Sequence, residues 1–142
     1  MVATRKCSMC KSYTEQGQLE THHFIEIKMA SIAPVLWRRL VPIRMKKANL
    51  VELCRPHHSD ASKLGRQLAG AYTEVYRILN THIRESFPNS QGSANAEQLD
   101  IEASAVIAKQ LLDILKWYTT QDMPRNPKYL ENPNYPEQDD VS

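Results

Sequence analysis

Between positions 56 and 88 the apolar residues fall at Leu64, Leu68, Ala71/Tyr72, Val75, Ile78/Leu79 and His82/Ile83. Spacings of three and four mark one face of an amphipathic helix, for which Pro56 suits the first turn and which ends before Pro88. The segment PNSQGSANAE at 88–97 reads as a loop. The same spacing then returns at Leu99, Ala103, Val106/Ile107, Gln110/Leu111, Ile114/Leu115 and Tyr118, predicting a second helix. Both stripes require cover, from each other, from the N-terminal region or from a second copy, and a helical hairpin is the expected arrangement.

The first part of the chain follows no helical period. HHFIEIK at 22–28 and NLVEL at 49–53 are short apolar or β-branched runs that predict two strands, able to pair as a ribbon. The roughly twenty residues between them, with Pro34 and Pro42, are long for a simple loop, and a short helix is expected around Val35 to Leu40. From Asp122 onward, Pro124, Pro127, Pro133 and Pro136 lead into the acidic EQDDVS end with no period, which predicts an extended or disordered tail over 122–142.

Composition narrows the classes. With 142 residues, 42% hydrophobic and 24% charged, the chain fits one globular domain with a tail. No run approaches the ~18 uninterrupted apolar residues of a membrane helix. MVATRKCSMC lacks the apolar core of a signal peptide, so a cytoplasmic protein is expected. The net charge of +2 conceals a split, twelve Lys/Arg against five Asp/Glu in residues 1–70 and six against eleven in 71–142. The most cationic stretch carries Arg38, Arg39, Arg44, Lys46 and Lys47 with no acid among them, beside Trp37. Local positive charge of this kind suits an anionic partner such as DNA.

The candidate chemistry lies in the cysteines and histidines. Three cysteines cannot pair off, and all precede residue 55, which favours a metal site over a disulfide framework. Cys7-x2-Cys10 and Cys54-x2-His57 form two pairs whose spacing lets both side chains turn onto one ion. Tetrahedral Zn²⁺ is the natural occupant, and a closed four-ligand site of this kind is structural. Four of the five histidines also lie in adjacent pairs, His22-His23 and His57-His58. Neighbours on a helix point about 100° apart, so His57 and His58 should serve different centres. Neighbours on a strand point to opposite faces, so His22 and His23 share one centre only if the ribbon is bent or bulged.

Taken together, C-x2-C, then His-His followed by apolar residues, then NLVELCRPHH at 49–58 resembles the HNH family of nucleases, over Cys7 to about Ser62. The resemblance implies a zinc-stabilised ββα-metal finger over 1–62; with the two-helix extension over 63–121 and the tail over 122–142 read from the pattern above, the expected fold is α+β. The resemblance further implies that His22 and His58 bind a divalent catalytic ion (Mg²⁺, Mn²⁺, Ni²⁺ or Zn²⁺). His23 is then the general base and Asn49 holds its ring. Cys7, Cys10 and Cys54 match the zinc cysteines of the family, with His57 where a fourth cysteine is more usual. That replacement leaves a workable Cys3His set and allows His57 and His58 to exchange roles. Where some members place a further histidine, one turn past His58, this chain has Ser62, so the catalytic ion is expected to take only His22 and His58 from the protein.

The implied activity is hydrolysis of DNA phosphodiester bonds by a His23-activated water, with Arg38, Arg39, Arg44, Lys46 and Lys47 gripping the backbone. Two rivals come from other classes: a non-catalytic zinc module that binds DNA or protein, and a helical protein whose residues 59–119 form a dimer or docking surface. Trp117 and Tyr118 read as core or interface, His82 as a packed or partly exposed stripe residue, and Glu20 and Asp60 as solvated carboxylates.

Overall fold

A computed structural model describes residues 6–10, 19–87 and 93–125. The architecture is mixed, one two-stranded sheet among helices. Strand β1 (Leu19–His23) pairs antiparallel with β2 (Leu50–Cys54) through five consecutive partners from Leu19↔Cys54 to His23↔Leu50, with no bulge. Between them lie α1 (Met29–Ile32), α2 (Pro34–Arg44) and a 3-10 turn at Lys47–Asn49. Helix α3 (Arg55–Ser86) follows β2 directly, and α4 (Ser93–Tyr118) packs against it.

The first strand ends where the apolar run HHFIEIK suggests that it should begin. Past His23 the alternation fails, because Phe24, Ile25 and Glu26 are all buried in succession. Their main chain turns onto Asn49 instead of a strand partner. The Phe24 amide donates to the Asn49 carbonyl at 2.9 Å, and the Ile25 amide donates to Asn49 Oδ1 at 2.8 Å. Asn49 Nδ2 donates in turn to the carbonyls of Ile25 (3.3 Å) and Arg44 (3.2 Å). A fully buried side-chain amide thus closes the turn that leaves β1 and the segment that enters β2.

Helix α2 is longer than the expected 35–40. Pro34 occupies its first turn, where a missing N–H costs nothing, and Leu36 and Leu40 bury a stripe that carries the helix on through Pro42 to Arg44. Helix α3 has 32 residues, about 48 Å at 1.5 Å per residue. It crosses position 62 without a break. The pairing of α3 with α4 is antiparallel: a side chain added at Gly65 would meet Leu115, and Tyr76 donates to Asp100. Leu111, Leu112, Leu115 and Ile107 of α4 meet Ala69 of α3 and Leu36 and Leu40 of α2 in the main core. A smaller core gathers Met9, Leu53 and Ala61 around the three cysteines.

Helix α4 starts earlier than the loop expected over 88–97 allows, and residues 88–92 of that loop lie outside the described residues, as do 126–142 of the expected tail. Residues 122–125, also assigned to the tail, pack back on the N-terminal arm, with Met123 in the smaller core and its amide donating to the Met9 carbonyl at 3.1 Å. Trp117, expected in a core or interface, is 60% exposed, while Tyr118 packs on the smaller core. His82 is exposed. No helix among the described residues is long and apolar enough to cross a membrane.

Asn49→Ala strands two buried carbonyls and a buried amide. Because each such group costs about 1–3 kcal/mol, stability should fall by about 3 kcal/mol or more. Asn49→Asp should fail to rescue it, since a carboxylate cannot donate to the carbonyls of Ile25 and Arg44. Urea unfolding of the three proteins checks this; a wild-type midpoint for Asn49→Ala would show that the brace carries no stability.

Candidate metal centre and the histidine cluster beside it

Two chain segments far apart in sequence bring Cys7, Cys10, Cys54 and His57 together, all buried, with one ligand atom of each within 4.8 Å of the others. The Sγ atoms of Cys7, Cys10 and Cys54 stand 3.4, 3.2 and 3.4 Å from His57 Nδ1, and Cys10 and Cys54 Sγ are 3.5 Å apart. Cys7 and Cys10 form a tight knuckle, in which the Cys10 amide donates to the Cys7 carbonyl and the Met9 amide donates to Cys7 Sγ. That knuckle is pinned to β2 by the Ser8 amide on the Glu52 carbonyl, and to the end of α4 by Ser8 Oγ on the Thr119 carbonyl. Cys54 ends β2 and His57 lies in the first turn of α3.

The arrangement could hold a metal ion. A carbonyl only accepts, so the contact of His57 Nε2 with the Pro124 carbonyl at 3.4 Å places a hydrogen on Nε2 and leaves the Nδ1 lone pair facing the sulfurs. Without an ion the three thiols cannot share charge evenly. Hydrogen bonding from Cys54, aided by His57, pushes the Cys7 thiol down to about 3 against the effect of burial. Burial pushes Cys10 up, and the Cys7 neighbour together with burial pushes Cys54 up. Burial lowers His57, but its bond to Cys7, the Cys7 charge and the backbone of Pro124 and Met123 together outweigh this and the net shift is upward. A divalent cation removes the conflict, because it stabilises all three thiolates at once.

The other histidines gather on the next face of α3. His22 of β1 points to α3, with its ring centroid 5.3 Å from that of His58, its Nδ1 3.5 Å from Ser62 Oγ and Phe24 packed edge-on against it. Burial pushes His22 down to about 3, with the charges of His58 and His23 adding to the effect. His23 ends the strand half-buried, and its ring makes no hydrogen bond among the described residues. Burial, then Arg44, then His58 lower it below the usual imidazole range. The regular register sends the His22 and His23 side chains to opposite faces of β1, so a bulge does not unite them.

Two expectations require correction here. Asn49 does not hold the His23 ring: both of its amide hydrogens and Oδ1 serve the main chain of Ile25 and Arg44, so it acts on His23 only through the turn that follows it. Glu20 is not a free carboxylate; its Oε1 accepts from His58 Nδ1 at 2.9 Å. Sequence reading also passed over Glu26, whose Oε1 is 3.7 Å from His22 Nδ1 and whose Oε2 is 3.8 Å from Arg66. Burial raises the pKa of that carboxyl. Its position in HHFIEIK reads as the polar member of an alternating strand, which hides it.

Of the five cations singled out, Arg38, Arg39, Lys46 and Lys47 are exposed along α2 and the turn after it. Arg39 donates through Nε to Ser104 Oγ at 3.0 Å and so ties α2 to α4. Arg44 is half-buried, with its charge reaching His23. Comparisons with protein-family models, with curated proteins and with solved structures found no match.

Stripping the chain of metal with a strong chelator should lower its melting temperature by at least about 10 °C, at ~3–4 °C per kcal/mol for a domain of this size. One equivalent of zinc should restore it. Cys54→Ala should lose the bound ion and that recovery, whereas His57→Cys should keep both. Metal analysis with thermal unfolding reads these outcomes, and an unchanged midpoint after chelation would remove the ion from the fold.

Proposed function

We propose that the protein is a metal-dependent DNA endonuclease of the HNH type, its β1–β2–α3 unit a ββα-metal finger held by structural zinc on Cys7, Cys10, Cys54 and His57. The observation that carries the reading is the meeting of His22 and His58 beside that clamp, their ring centroids 5.3 Å apart, with His23 next along β1 on its other face. The soft thiolate set suits zinc. A divalent ion on His22 and His58 would supply Lewis-acid charge for a phosphate and its leaving oxygen.

The residues of the chain perform the remaining work. A phosphodiester repels nucleophiles by its own charge, so the attacking water must be deprotonated as its oxygen bonds to phosphorus. His23 takes that proton, and the P–O3′ bond breaks on the far side. For this His23 must be neutral, and its burial and the Arg44 charge favour that form. A strand of DNA lying across the end of β1 would meet both faces on which the histidines sit. Arg38, Lys46 and Lys47 are exposed to receive its backbone, giving salt-sensitive and largely sequence-independent affinity.

The test is cleavage of supercoiled plasmid with Mg²⁺, Mn²⁺, Ni²⁺ and Zn²⁺. His23→Ala should lose at least ~100-fold in rate, the lower bound for general-base catalysis, with fold and zinc content intact. Equal cutting by His23→Ala would remove His23 as the base, and no cutting by the wild type with any ion would leave the non-catalytic zinc module as the better reading.

The pH profile gives a second check. A base whose pKa is lowered stays neutral into more acidic solution, so the acid limb of the rate should lie below the ~6.5 of a free imidazole. Arg44→Met removes part of the cause and should move that limb upward. A limb at or above ~6.5 in the wild type would contradict His23 as the base.

A further inference from the structure

The geometry points to Glu26 as a third protein ligand, making His22, Glu26 and His58 an open two-imidazole, one-carboxylate site for a divalent cation; as the catalytic site it rests on the nuclease reading, as a metal site it does not. One ligand atom from each of the three residues lies within 4.8 Å of the others. Atoms bound to one ion at ~2.0–2.2 Å stand about 3–3.5 Å apart, so the 3.7 Å between His22 Nδ1 and Glu26 Oε1 closes with a small rotation.

Glu26 is an expensive residue to bury without such a role. It is 2% exposed, and although Ser62 hydrogen-bonds to its carboxyl, its Oε2 is buried with no hydrogen-bond partner among the described residues. Arg66 faces that oxygen at 3.8 Å, near the limit of a direct contact. A carboxylate removed from water requires a close positive charge, and an ion between it and two imidazoles provides one.

The orientation of His58 fits the same assignment. Its Nδ1 bonds to a carboxylate of Glu20, which can only accept, so the hydrogen sits on Nδ1 and the Nε2 lone pair is left for a metal. A carboxylate behind a metal-binding histidine fixes its tautomer and raises its basicity. Ser62, on the same face of α3, hydrogen-bonds toward His22 and shares this pocket rather than ligating. Three protein ligands leave positions open for water and a phosphate oxygen. The mixed nitrogen and oxygen set suits Mn²⁺, Co²⁺, Ni²⁺ or Zn²⁺, whereas the thiolate clamp selects a softer ion.

The experiment is a Mn²⁺ titration of the full, zinc-loaded chain, followed by the electron paramagnetic resonance signal of free Mn²⁺. Mn²⁺ stands below Zn²⁺ in the affinity order, so it leaves the thiolate clamp occupied. The wild type should bind one Mn²⁺ beyond its zinc. Glu26→Gln, of the same shape, should bind it at least ~10-fold more weakly with unchanged zinc content and circular dichroism. His58→Ala should weaken it likewise, and His23→Ala should not. If Glu26→Gln fails to fold, Glu26→Asp carries the test, since the shorter side chain withdraws the carboxylate and should still cost several-fold. Binding by the variant within twofold of wild type, or no second ion in the wild type, overturns the assignment. A chain that cuts DNA yet ignores Glu26→Gln keeps the nuclease reading and loses this ligand. A chain that binds Mn²⁺ through Glu26 and never cuts does the reverse.

Discussion

The crossing of Cys7, Cys10, Cys54 and His57 is the constraint on which the first half of the molecule depends. Four ligand atoms drawn from the N-terminal arm, the end of β2 and the first turn of α3 converge within 4.8 Å. The apolar support around them is slight, with Met9, Leu53 and Ala61 as its fully buried members beside the cysteines. Burial of so few side chains does not offset the entropy of ordering the arm. The helical half is different, because α2, α3 and α4 share a core of leucine and isoleucine that needs no ion. The binding energy of an ion at the clamp would therefore be folding energy for the segments it joins and nearly irrelevant to the helical core.

Helix α3 transmits that rigidity to the second cluster. His57 turns to the sulfurs, and His58, about 100° further round the helix, turns to His22. Consecutive histidines on one helical turn thus serve two centres, and whatever fixes the first fixes the second. Asn49 does the corresponding work on the sheet side. By binding the main chain on both sides of Ile25 it sets where β1 stops, and so where His22 and His23 leave the strand.

Much of this was legible from residue spacing, and the exceptions share a cause. The three-and-four period placed both long helices, and the paired ligand spacing of Cys7, Cys10, Cys54 and His57 anticipated their convergence, because local periodicity and ligand spacing are properties of short segments. Glu26 was not legible. Its burial follows from the Asn49 brace, which turns Phe24, Ile25 and Glu26 inward together, and that brace joins residues more than twenty positions apart. The bond from Glu20 to His58 spans 38 positions and is equally invisible to pattern. Arg39 carries the same lesson: its place in a basic run suggests a solvent-facing cation, which it is, but the bond of its Nε to Ser104, 65 positions away, is not legible in that run.

The uneven charge acquires a physical meaning once the helices are placed. Glu74 and Glu85 lie 17 and 28 residues along α3 from His57, about 26 and 42 Å at 1.5 Å per residue, and Asp100 faces Tyr76 at the same far end of the hairpin. The screening length at physiological salt is ~8 Å, so those acids contribute almost nothing to the potential at the histidines. Arg38, Arg44, Lys46 and Lys47 lie on α2 and the turn that leads to Asn49, next to the end of β1. These cations outweigh Glu20 and Glu26, which are engaged with His58 and His22, and the formal balance of +2 over the whole chain understates the positive charge at this edge. The length of α3 is what keeps the two signs apart: a shorter hairpin would bring the acids within a screening length of the site and cancel the attraction.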